Sequence, residues 1–80
     1  METRLGIVGI VVEDTESAKE VNEILHYYAD IIVGRMGIPY KERGVSIISL
    51  MIDGNMDQIS AMTGKIGKLK NVSVKAALTK

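Results

Sequence analysis

Twice along this chain a short β-branched run gives way to an amphipathic helical pattern and then to another β-branched run, and few folds accommodate that order. The first run, Leu5-Gly6-Ile7-Val8-Gly9-Ile10-Val11-Val12, is short and β-branched, which favours a buried strand over a helix. Its two glycines permit close packing. Ser17, followed three residues later by Glu20, has the spacing of a capping box and sets an expected helix start near that serine. Ala18, Val21, Leu25 and Tyr28 then recur at helical spacing with Ile24 beside them, while Lys19, Glu20, Asn22 and Glu23 fall largely elsewhere. Strand chemistry resumes at Ile31-Ile32-Val33 and is expected to run to about Met36, where Gly37 and Pro39 break it.

The second cycle begins at Val45-Ser46-Ile47-Ile48-Ser49-Leu50-Met51-Ile52 and closes in the turn-prone Asp53-Gly54-Asn55. Asn55 and Gln58 suggest the next cap. Ile59, Met62, Ile66 and Leu69 mark a second amphipathic helix, weakened by Gly64 and frayed near Gly67. Asn71 turns the chain into a last strand, in which Val72, Val74, Ala76 and Leu78 alternate with Ser73, Lys75, Ala77 and Thr79. Right-handed crossovers then favour an α+β, ferredoxin-like βαββαβ fold: a four-stranded antiparallel sheet with two helices on one face. Residues 1–80 are expected to form one domain, joined at its middle by the Gly37–Gly44 connection.

A chain of 80 residues builds a small core, and domains of that size often lean on disulfides, metals or partner subunits. The absence of cysteine removes disulfides, zinc–thiolate sites, iron–sulfur ligation and redox motifs together, and one histidine makes no histidine cage. Partner subunits are left. The third strand points the same way: Ile48, Leu50 and Ile52 share one face, but Val45, Ile47 and Met51 share the other. A helix layer covers only one face of a sheet, so Val45, Ile47 and Met51 are the expected interface of a homo-oligomer.

Ten basic residues balance ten acidic ones, so no net positive field gathers phosphates, and direct nucleic-acid binding is not expected. The run Leu5–Val12 is too short to span a membrane and follows no clear signal peptide, which reads as cytoplasmic. Without cysteine the metal-chaperone and iron–sulfur versions of this fold fall away. Without Phe or Trp, and with its three tyrosines off the central strands, so does base stacking of the RNA-recognition kind. A phosphate-cradling loop after the first strand is also missing, because Glu13-Asp14-Thr15-Glu16 is acidic and would repel phosphate. Those acids suit a helix start better than acid–base catalysis. No catalytic residue, metal ligand or cofactor is expected. His26 reads as a surface or rim residue, the neighbouring Tyr27 and Tyr28 as packing aromatics, and the five methionines, Met36, Met51, Met56 and Met62 among them, as core filler. The segment Arg35–Gly44 concentrates Arg35, Lys41 and Arg43 with Tyr40 and two glycines, a composition able to hold a carboxylate or phosphate, or to form a hairpin tip.

Val8–Asp14, Val21-Asn22-Glu23-Ile24-Leu25, Ile31–Pro39, Gly44–Asp53 and Val72-Ser73-Val74-Lys75 together resemble the family of regulators of the iron-only hydrogenase system over nearly the whole chain. Ile31–Pro39 is the most distinctive stretch. The resemblance implies an ACT-like domain, related in fold to the ligand-binding domain of the nickel-responsive repressor and assembling through its sheets. The related domain's nickel ligands, several histidines and a cysteine, are not carried over onto a chain with His26 alone. ACT domains often bind small molecules near the first strand–helix turn, which brings Asp14, Thr15 and Ser17 into the candidate site beside Arg35, Tyr40, Lys41 and Arg43. The expectation is a regulatory homo-oligomer that binds a small anionic effector or a hydrogenase-system protein. Two alternatives stay open: a small enzyme acting on an anionic substrate through Arg35 and Arg43, or a purely structural assembly subunit.

Overall fold

The computed structural model describes residues 2–79. In chain order it comprises β1 (Arg4–Val12), α1 (Thr15–Tyr27), β2 (Ile32–Tyr40), β3 (Val45–Gly54), α2 (Met56–Gly67) and β4 (Val72–Leu78), with 3-10 turns at Ala29–Ile31 and Lys41–Arg43. The strands form one antiparallel sheet in the order β2-β3-β1-β4, which is the expected ferredoxin-like βαββαβ arrangement with β1 and β3 at the centre.

Side-chain alternation sorts the sheet into two faces. Val8, Ile10 and Val12 of β1 and Ile48, Leu50 and Ile52 of β3 point to the helices and are buried with Val21 and Leu25 of α1 and Ile59, Met62 and Ile66 of α2. Each such side chain gains about 1.5–3 kcal/mol from leaving water. Gly6 lies on this face too: a Cβ there would overlap the Leu78 side chain and come within 2.9 Å of the Ala77 carbonyl oxygen, so β1 and β4 approach closely because the side chain is absent.

Each helix start is capped, though not as the spacing of Ser17 and Glu20 predicts. Helix α1 begins two residues earlier, with Asp14 as N-cap accepting the Glu16 amide at 2.9 Å. Ser17 is already inside the first turn and buried, and its hydroxyl donates to the Lys70 carbonyl at 2.6 Å, which pins α1 to the approach of β4. The cap of α2 is as expected: Asn55 accepts the Gln58 amide at 2.8 Å and the Gln58 side chain accepts the Asn55 amide at 3.0 Å. Asn71 adopts φ 60° in the turn before β4, and its carbonyl accepts the Glu13 amide at 2.9 Å. At the far end of the same strand pair, the Thr79 amide donates to the Leu5 carbonyl at 2.8 Å, and the Thr79 hydroxyl accepts the Leu5 amide at 3.2 Å. Lys65 of α2 sits 5.1 Å and 5.3 Å from the ring centroids of Tyr27 and Tyr28, joining the helices at the end of α1.

Strand β2 departs from expectation. It continues through Gly37 and Pro39 to Tyr40 instead of ending near Met36. An edge strand bonds on one side only, so a proline is tolerated there. A bulge at Val33 shifts the register between Ile32 and Gly34. The connection to β3 is therefore only the Lys41–Arg43 turn and Gly44, whose φ of 64° suits glycine.

Candidate functional site

Two surfaces stand out, one on each side of the sheet. On the side away from the helices, Leu5 and Ile7 of β1, Val33, Met36 and Ile38 of β2, and Ile47 and Met51 of β3 are exposed, Val33 at 73% and Ile7 at 55%. The cross-strand pairs Ile7–Met51, Val11–Ile47 and Ile38–Ile47 knit them into one surface. Seven large apolar residues, each at least 40% exposed, thus share one face of the sheet, the kind of contiguous apolar surface that marks an association site. A shallow apolar hollow of about 380 Å³ lies at one end, between Leu5, Ile7, Val33, Met51 and Ala77. Of the expected interface residues, Ile47 and Met51 are exposed on this face, and Val45 is half-buried at its margin. Alternation in β1 and β2 carries the signal for the rest. The methionines are corrected by the same observation: Met62 is core, whereas Met36, Met51 and Met56 are 58%, 40% and 40% exposed.

On the helix side, α1 leaves the inner face of β2 uncovered, and a groove runs between them. Its two adjoining hollows, about 200 and 180 Å³, share Val12, Ala18, Pro39 and Ser46 as lining. At the hairpin end Asp14 and Thr15 face Tyr40 and Lys41. At the other end lie Asn22 and Arg35. The Arg35 Nη2 donates to Asn22 Oδ1 at 2.8 Å, while Asn22 Nδ2 donates to the Ala18 carbonyl at 3.0 Å, so the amide is oriented by its own helix.

The groove gathers most of the sequence candidates but separates their charges. Arg35 lies six residues before Lys41 along an extended strand, roughly 20 Å at 3.3 Å per residue, so the three cations do not converge on one anion. Arg43 is exposed in the turn and lines neither hollow. Asp14 is committed to capping, and Ser17 is buried against Lys70, outside both hollows. Sequence reasoning missed Asn22, Gly37 and Ser46. The Arg35–Asn22 contact spans two elements and leaves no local spacing to detect.

His26 is exposed, in a shallow hollow with Asn22, Glu23 and Tyr27. Among the described residues no three His, Asp or Glu side chains are grouped so as to hold a metal ion, and no helix is long and apolar enough to cross a membrane.

A sheet covered by two helices on one face and bare and apolar on the other, in the order βαββαβ, is an α+β domain of ferredoxin-like type. The chain belongs to the TM1266-like family, described as "Iron-only hydrogenase system regulator, putative", whose model matches residues 4–76. It is 36% identical to the uncharacterized protein TM1266 from Thermotoga maritima, with a TM-score of 0.95 over 99% of this chain and 100% of that one. A de novo designed protein, Foldit4, shares the fold at 17% identity and a TM-score of 0.58, covering 99% of this chain and 98% of its own. The search of curated proteins found no match.

Proposed function

We propose that this chain is a regulatory module of an iron-only hydrogenase system, active as a cytoplasmic homo-oligomer that binds a small effector and carries out no catalysis of its own. The observation that carries this reading is the bare sheet face. Leu5, Ile7, Val33, Met36, Ile38, Ile47 and Met51 make it a flat, self-complementary apolar surface, and the occupant that matches it is a second copy of the same face. The hydrogenase link rests on the family to which the chain belongs. An enzyme working through Arg35 and Arg43 together is disfavoured by their separation along the β2–β3 hairpin.

Light scattering tests the assembly. The wild type is expected at a dimer mass or above, and Ile47→Lys at the monomer mass with an unchanged circular dichroism spectrum. A monomeric wild type at micromolar concentration would overturn the reading. Hydrogenase activity in cells lacking the chain tests the regulation: it should change, and be restored by the wild-type chain but not by Ile47→Lys.

A further inference from the structure

The groove on the helix side is built asymmetrically, and the asymmetry selects a ligand. At one end a single guanidinium is held by Asn22 at 2.8 Å, one of its five N–H donors being spent so and none of the others on a described residue. The planar fork of an arginine matches a carboxylate in two parallel hydrogen bonds. Next to it on the same face of β2 comes Gly37, where the absence of a side chain leaves a gap: a Cβ placed there would meet only Ile48 Cγ1, at 3.9 Å. The gap is floored by Ile48 and flanked by Val12, Ala18 and Pro39, so apolar side chains predominate beside the polar Asn22, Arg35 and Ser46. The hollow of about 180 Å³ lies below the usual 300–1,000 Å³ of drug-sized sites, which limits the occupant to a handful of heavy atoms.

Resting on the reading of the chain as an effector-binding module, we propose that the Arg35 end of this groove binds a small monocarboxylate with a branched apolar body. The carboxylate lies on the Arg35 guanidinium that Asn22 positions, and the body fills the gap over Gly37 and Ile48. A phosphate fits less well. Lys41 is too far along the hairpin to share a second negative charge, and beside the apolar floor only the Ser46 hydroxyl is at hand for a phosphate's remaining oxygens.

The probe is isovalerate, titrated into ¹⁵N-labelled full chain and followed by amide and arginine Nε–H shifts. Isovalerate should give saturable shifts at Arg35, Gly37 and Ile48 in the millimolar range. Isovaleramide, which lacks the charge, and acetate, which lacks the body, should each bind about tenfold more weakly, as should Arg35→Gln with isovalerate. Gly37→Val fills the gap at a position where an added Cβ meets nothing closer than 3.9 Å, in an extended strand that favours valine, so it should keep the fold, checked by circular dichroism, and abolish the shifts at Ile48. Equal responses to isovalerate and isovaleramide, an equal response in Gly37→Val, or shifts confined to Arg35 that inorganic phosphate reproduces would each overturn the proposal. Both substitutions lie on the helix side, away from the bare face. A failed titration with assembly intact therefore removes the ligand alone, whereas a monomeric wild type removes the reading beneath it.

Discussion

The two faces of this sheet are drawn from the same residue types and end in opposite environments. On β3, Ile48, Leu50 and Ile52 are 6%, 0% and 1% exposed, while Ile47 and Met51, one position away, are 43% and 40% exposed. Hydropathy alone does not distinguish them. What does is that both connecting helices fall on one side, so a period of two in an all-apolar strand converts directly into one core and one unsatisfied surface. Apolar residues on the helix face build the core; those on the bare face stay in contact with solvent in a single copy of the chain.

Substitutions along one strand pull the two roles apart. Leu50→Ala should cause the largest loss, about 2–5 kcal/mol of unfolding free energy in a denaturant titration, because it leaves a cavity among residues that cannot close over it. Glycines on β1 sharpen the contrast. Gly6→Ala, against Leu78 and the Ala77 carbonyl, should destabilise by about 1–3 kcal/mol, whereas Gly9→Ala, on the bare face with nothing within 4 Å, should leave thermal stability of the monomeric Ile47→Lys background unchanged. If Gly6→Ala proves as harmless as Gly9→Ala, the close approach of β1 and β4 is wrong. The smallest expected effects are at the helix starts. Asp14→Ala and Asn55→Ala should each cost about 1 kcal/mol by loss of a cap, without altering the mass measured by light scattering. A cap variant that changed the assembly would show that the faces are not independent.

Much of this was legible in the chain because the signals were local. The alternation Ile48-Leu50-Ile52 and the Asn55–Gln58 spacing need nothing beyond a few neighbours to act, and the structure places both as read. Ser17 shows how a local signal fails. Its spacing to Glu20 is that of a cap, but its hydroxyl is taken by Lys70, 53 residues away, and Asp14 caps instead. Pro39 fails for a topological reason. A proline ends a strand that must bond on both sides and is harmless in one at the edge, and edge position is known only when the whole sheet is assembled. The groove was half legible: Arg35 was singled out for its charge, while Asn22 and Gly37 acquire their places only from the packing of α1 beside β2.

The pairing of Thr79 with Leu5 has a consequence for how the chain can be threaded. Because β1 and β4 are antiparallel neighbours and this clasp closes their outer end, the first and last strands meet at one corner of the sheet, and a few-residue linker could join them. New ends could then be opened at the exposed Lys41–Arg43 turn, which would make the two halves of the β2–β3 hairpin the terminal strands of a permuted chain. Such a permutant would keep every strand pairing of the original while exchanging which strands are consecutive in sequence. Its core and bare face would be those described above, reached by a different order of assembly.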